Sequence, residues 1–267
     1  MNGVSEEMLI AGSMRPKVRL IARLDVKNNY LVKGIHLEGL RKMGDPNEFA
    51  TAYYSQGIDE VLYMDIVASL YNRNSLGEII RRVTENVFVP IAVGGGLRGV
   101  EDVRAALKLG ADKVAINTAA IKNERIISEV AGAFGSQCMV MSIDAKRMPG
   151  EKNRWEAYYD NGREHSGKDA VEWACRGVEL GAGEILLTSV DCEGLERGMD
   201  FDLISAVCGA VSVPVIASGG CGGAEDIALS ARVGASAVAV ASILHYKKTG
   251  VRPLKERTAE EGVNIRL

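Results

Sequence analysis

Residues 89–99 read VPIAVGGGLRG, and residues 213–223 read VPVIASGGCGG, 124 positions further on. At the same offset GIDEVLYMD (57–65) returns as GAGEILLTS (181–189), and GADKVAINTAA (110–120) returns as GASAVAVASIL (234–244). LDVK at 24–27 returns as IDAK at 143–146, at an offset of 119. Each half of the chain therefore opens with an apolar run ending in Asp. Each closes with two runs that end in glycine or small residues.

The doubling is a fold signal. Eight apolar runs rich in Val, Ile and Leu cover residues 19–26, 60–66, 89–95, 113–117, 138–145, 184–190, 213–220 and 237–242. Amphipathic stretches such as SLGEIIRRVTENV, GVEDVRAALKLG and AEDIALSARVG separate them. Near-continuous apolar strands alternating with helices mean a parallel sheet covered by helices. Eight such units without a break predict a (β/α)8 TIM barrel with a two-fold half-barrel repeat, and 267 residues suffice for one. A doubly wound sheet, the alternative, does not predict a repeat of four strand–helix units. No linker interrupts the pattern, so residues 15–267 are read as a single barrel domain. Residues 1–14 are read as a disordered or extra N-terminal extension, with Met14 as the true start; they lack the basic start and longer apolar core of a signal peptide.

Bulk composition narrows the function. A net charge of −3 offers no surface for nucleic acid or an anionic membrane. No apolar run approaches the length of a membrane span. Five cysteines, scattered and without a CxxC pair, fit reduced thiols in a cytoplasmic protein. The three histidines, His36, His165 and His245, show no ligand spacing, so neither a metal nor a cofactor is expected.

Two connections are longer than a barrel needs: residues 27–48 after the first strand and 146–170 after the fifth. Loops after strands lie on the catalytic face of a barrel, and long ones are lids, binding loops or small hairpins. Tyr30 and the segment 155–159 lie in them, either to stack on a ring or to pack the loop.

Asp25 and Asp144 end strands one and five, which face each other across the mouth. Two carboxylates there are able to act as general acid and base, the bland reading being a helix cap or a lysine partner. Gly94-Gly95-Gly96 follows strand three and Ser218-Gly219-Gly220 follows strand seven, with Asn117-Thr118 and Ala241-Ser242 beside them. Glycines let the backbone approach a ligand and present N–H groups to an anion. A phosphate site after strands seven and eight recurs in barrels; here the repeat supplies a second, which implies a long substrate with a phosphate at each end. Lys33 is either a solvated charge or a clamp on such a phosphate. Arg19, Glu60, Lys113 and Glu184 stand at strand starts, either as surface ion pairs or as a ring of alternating charge on the barrel floor.

These segments resemble a known family. DVK…LVKG, GDP, GGGLR, ADKVAINTAA, FGSQ, SIDAKR, GAGEILLTS, IASGG and GVNIRL, in this order and spanning roughly residues 15–267, are similar to the cyclase subunit of imidazole glycerol phosphate synthase. A related histidine-pathway isomerase shares the half-barrel repeat and both Asp residues, but FGSQ, SIDAKR and GVNIRL match the cyclase. The resemblance implies a lyase of histidine biosynthesis. It would use ammonia to convert N′-[(5′-phosphoribulosyl)formimino]-5-aminoimidazole-4-carboxamide ribonucleotide into imidazole glycerol phosphate and an aminoimidazole carboxamide ribotide. It implies a glutaminase subunit at the barrel floor that feeds ammonia through the barrel. The family's catalytic pair falls on Asp25, as base, and Asp144, as acid. Its phosphate-binding positions fall on Lys33, Gly95, Gly96, Asn117, Thr118, Gly219, Gly220 and Ser242. Its ammonia gate falls on Arg19, Glu60, Lys113 and Glu184.

Four positions depart from the family pattern. Arg23 stands where a small residue, often Cys, is usual; Glu193 replaces an Asp used near the substrate; Leu195 and Val67 each replace a Thr. Arg23 precedes Asp25 by two residues, so both side chains leave the same face of the strand. A guanidinium inside a barrel is costly unless paired. It is expected to pair with Asp25 or a neighbouring acid and lower that carboxyl, or to narrow the ammonia path. Two readings follow: a histidine-pathway cyclase with tolerated substitutions, or a paralogue that channels ammonia to another acceptor, such as amidine formation on surface-polysaccharide sugars. The retained Asp pair, Lys33 and both glycine turns favour the first. They also disfavour a non-catalytic phosphate-binding barrel.

Overall fold

A computed structural model describes residues 17–68 and 76–267. The expected extension at 1–14, with Met14, lies outside the described residues. In chain order the strands are β1 (Arg19–Lys27), β2 (Tyr30–Ile35), β3 (Glu38–Gly44), β4 (Glu60–Asp65), β5 (Ile91–Gly94), β6 (Lys113–Ile116), β7 (Met139–Arg147), β8 (Trp155–Tyr159), β9 (Glu164–Asp169), β10 (Glu184–Ser189), β11 (Val215–Ser218) and β12 (Ala237–Val240). The helices are α1 (Pro46–Ser55), α2 (Leu76–Val83), α3 (Val100–Lys108), α4 (Thr118–Lys122), α5 (Arg125–Phe134), α6 (Ala170–Glu179), α7 (Phe201–Ala210), α8 (Ala224–Arg232), α9 (Ser242–His245) and α10 (Val251–Glu260).

The eight expected runs form one closed parallel barrel, in the order β1, β4, β5, β6, β7, β10, β11, β12 and back to β1. This is a (β/α)8 barrel. Side chains alternate across each strand, so β1 turns Arg19, Ile21, Arg23 and Asp25 inward and Leu20, Leu24 and Val26 outward against the helices. Inside, Ile21, Leu62, Ala92, Ala115, Val140, Leu186, Ile216, Ala237 and Ala239 form an apolar layer that fills the barrel. A larger apolar shell lies between the barrel and the helices.

Both long connections are hairpins. β2 and β3 pair antiparallel and extend β1 through Val26 and Leu31. β8 and β9 extend β7, with Tyr158 opposite Asp144 and Trp155 opposite Arg147. Trp155 packs its loop: it is buried and donates Nε1–H to Asp200 at 2.9 Å. Tyr30 is exposed and lies under the Lys42 ammonium at 3.2 Å. Val67 lies in an apolar cluster with Val32 and Ile66, under the β2–β3 hairpin. Leu195 is partly exposed, and nothing in the structure explains it. All five cysteines are free thiols. Among the described residues no helix is long and apolar enough to cross a membrane.

Candidate active site at the barrel mouth

The two glycine turns are sterically equivalent. Gly95 and Gly219 have φ of +93° and +96°, a region in which L side chains are strained. A Cβ on Gly95 would stand 2.1 Å from Asp65 O, and one on Gly219 would stand 2.5 Å from Ser189 O. Asp65 and Ser189 are themselves related by the repeat. Backbone therefore approaches backbone at the same place in both halves, which fixes each turn at the end of its strand.

Around the first turn is a cavity of about 270 Å³ lined by Gly95, Gly96, Asn117, Thr118, Asp144 and Arg23, with Arg98, Lys122 and Asn161 at its edge. Asp144 is buried and accepts from Asn117 Nδ2 at 2.9 Å. Burial pushes its carboxyl up to about 6, against the pull of Arg23 and the Asn117 hydrogen bond, and the Asp25 and Glu193 charges add to the rise. Asn117 Oδ1 is buried without a hydrogen-bond partner among the described residues, an acceptor that a ligand N–H or O–H would satisfy.

The second turn is crowded. Gly219, Gly220, Ser242 and Glu193 line a space of about 10 Å³, again with Arg23 on its wall. Lys33 is not solvated; it is buried and bonds Glu193, also buried.

Arg23 does what its position demanded. It donates Nε–H to Asp25 Oδ1 at 2.9 Å and Nη1–H to Thr188 Oγ1 at 2.9 Å and Ser218 Oγ at 3.1 Å. These partners sit on β1, β10 and β11, so the side chain crosses the barrel interior above the apolar layer. Burial works against the Arg23 charge, yet Asp25, Glu193 and Asp144 outweigh it and keep the guanidinium protonated. The same burial would raise the Asp25 carboxyl, but Arg23 and Lys33 outweigh it and hold Asp25 below its ordinary value. Asp25 is thus fixed as an anion by Arg23, while Asp144 faces the open cavity.

His245 is a support that sequence reading missed. It is buried, its Nε2 lies 3.0 Å from Arg23 O, and its Nδ1 lies 2.8 Å from the Tyr53 hydroxyl. Burial lowers it to about 4, so it is neutral and clamps β1 where Arg23 and Asp25 emerge. Its sequence signal was weak, one histidine after a short apolar run. Arg98, two residues past the first turn, and Lys122, at the end of α4, were also missed.

At the floor the four charges close into a ring. Arg19 bonds Glu60 at 2.7 Å and also Glu184; Lys113 bonds Glu60 at 3.1 Å and Glu184 at 2.9 Å. Both glutamates are buried, and burial raises Glu60 despite its two cations.

Fold and mouth define a class: a (β/α)8 barrel with two carboxylates of opposed acidity between paired glycine turns, over a charged floor. The model of a family described as "Histidine biosynthesis protein" matches residues 19–250. The imidazole glycerol phosphate synthase subunit HisF of Legionella pneumophila is 60% identical over 209 residues, covering 78% of this chain and 98% of that protein. The subunit of the same name from Mycobacteroides abscessus is 45% identical over 257 residues, covering 95% of this chain and all of that protein. The chain belongs to the histidine biosynthesis protein family, among the HisF subunits of imidazole glycerol phosphate synthase.

Proposed function

We propose that the chain is the cyclase subunit of an imidazole glycerol phosphate synthase, a lyase acting on a substrate with a phosphate at each end. The observation that carries this reading is the pair of repeat-related glycine turns with a carboxylate of each half between them. One phosphate lies on Gly95, Gly96 and Thr118, the other on Gly219, Gly220, Ser242 and Lys33. Environments that drive two carboxyls apart assign acid and base. Asp144, raised to about 6, takes up a proton more readily than Asp25 and is the group placed to hand one to the leaving nitrogen; Asp25, held ionised, accepts one as the amine attacks. Both relatives carry the name that fits this reading, and neither carries one that fits the amidine-forming alternative.

Ammonia must reach the mouth neutral and shielded from water. A partner subunit, read here as a glutaminase, docks on the floor, and the ring of Arg19, Glu60, Lys113 and Glu184 opens to pass ammonia into the apolar interior. The deciding assay is ammonia-dependent cyclisation at high pH, where free ammonia bypasses the partner. No turnover of the bisphosphate, together with failure to complement a cyclase-deficient histidine auxotroph, overturns the reading. Arg19→Ala should impair glutamine-dependent turnover more than ammonia-dependent turnover, and equal losses would argue against a gate.

A further inference from the structure

The two glycine turns share one backbone and differ in what lies against them. The first opens onto a cavity of about 270 Å³, the second onto about 10 Å³. Glu193 lies against the second turn and takes up part of that difference. Its Oε2 lies 3.4 Å from the point where a Cβ on Gly219 would stand, in contact with the turn itself. Its Oε1 accepts from Lys33 Nζ, and the two residues are 4% and 2% exposed. Its backbone oxygen accepts from His36 N at 2.9 Å, and Lys33 and His36 belong to the β2–β3 hairpin and its tip. A buried carboxylate pressed on a glycine turn and neutralised by a buried ammonium is the arrangement that a phosphate oxygen would adopt there.

We infer that Glu193 is a self-ligand: in the free protein it occupies the second anion turn and Lys33, and a phosphate group of the substrate displaces it. The inference rests on the reading of that turn as a phosphate site and goes beyond it by making Glu193 a specificity-determining residue. Two anions held this close repel strongly in a buried site, so phosphate and the Glu193 carboxylate exclude each other. Binding is then ordered. One phosphate takes the open first turn, and only a substrate long enough to place a second on Lys33 drives Glu193 out. A ligand with a single phosphate remains at the first turn and leaves the Lys33–Glu193 pair closed. The aspartate usual in the family is one methylene shorter and would fill the turn less.

The probe is inorganic phosphate, titrated calorimetrically into the full chain. Glu193→Gln removes the competing charge and keeps the shape, so phosphate should bind the second turn about tenfold more tightly. Lys33→Met added to that variant should abolish the gain. Unchanged or weaker binding in Glu193→Gln overturns the inference. Crystals of the unaltered protein and of Glu193→Gln, both grown in phosphate, test it by position. Phosphate on the first turn alone in the unaltered protein, and on Gly219 and Gly220 as well in Glu193→Gln, supports it. Phosphate beside an undisturbed pair overturns it, as does phosphate on the first turn alone in both proteins. Missing cyclase turnover with the phosphate gain intact would overturn the proposed reaction and not this inference.

Discussion

The two halves of the barrel have the same backbone and opposite interiors. In the first half Met64 and Gly94 face the mouth, and Met64 Sδ would lie 2.5 Å from a Cβ on Gly94. Their repeat partners in the second half are Thr188 and Ser218, the two hydroxyls that receive Arg23. Arg23 comes from the first half and leans into the second because only that half offers acceptors. Its own repeat partner is Ser142, which brings no charge to the mouth. The floor divides likewise: Glu60 and Glu184 are repeat partners, whereas both cations, Arg19 and Lys113, come from the first half. The repeat keeps a glycine turn in each half and lets the residues between the turns differ. The proposed acid–base pair needs that asymmetry, since two carboxylates in identical settings would not divide into acid and base.

The largest effect expected on this contrast is from Asp144→Asn. Loss of a general acid should lower kcat about a thousandfold, with KM much less affected, in steady-state assays. The same change should stabilise the protein near pH 8. Holding the ionised carboxylate in a site that raises it to about 6 costs up to about 3 kcal/mol, a cost the amide does not incur. The sign follows from proton binding. Asp144 is raised when folded, so its contribution to stability is present at low pH and is lost as pH rises to about 6. His245 is lowered to about 4 when folded, so its contribution is present above its ordinary value of 6.5 and is lost as pH falls toward 4. Between about pH 4 and 6 the two oppose each other. Asp144→Asn should therefore lose stability on acidification more steeply than the unaltered protein, by about 1.4 kcal/mol per pH unit in denaturant titrations.

Next in size is the floor. Lys113→Met leaves two buried glutamates with Arg19 alone and should cost about 3 kcal/mol, read from chemical denaturation. Equal stability would mean that the ring is solvated. The equivalence of the turns is tested by Gly95→Ala and Gly219→Ala. Each should destabilise by about 2 kcal/mol or more through strain at positive φ, Gly95→Ala the more because its clash is closer. The smallest effect sharpens the contrast most. Arg23→Ser gives β1 the residue of its repeat partner, and Asp25, released from the guanidinium, should titrate higher. The acidic limb of the pH–rate profile should move to higher pH. An unmoved limb would show that Arg23 does not set Asp25.

Much of this was legible in the chain before any tertiary contact was known. The eight strands fall where the apolar runs stand, with shifted ends: β1 and β7 run on to Lys27 and Arg147, into their hairpins, whereas the run at 213–220 shortens to Val215–Ser218, because Pro214 has no N–H for the ladder and Gly219 turns away. The hairpins fall in the two long connections. Strand position alone left the four floor charges open between surface ion pairs and a ring, and the family resemblance favoured the ring. The pairing of Lys33 with Glu193, the crowding of the second turn and the clamp of His245 were not legible, nor were Arg98 and Lys122 beside the first turn.

The sequence by itself determined the barrel, its duplication, the position of both glycine turns and the presence of a carboxylate in each half. Those features are local, because periodicity and steric freedom act over a few residues. Only the tertiary structure decided how the charges at the mouth are shared. Lys33 and Glu193 are 160 positions apart, Arg23 and Thr188 are 165, and Arg23 and His245 are 222. Acidity, occupancy and access at the mouth depend on which side chains meet in a low-dielectric interior, and closure of the barrel alone brings them within reach.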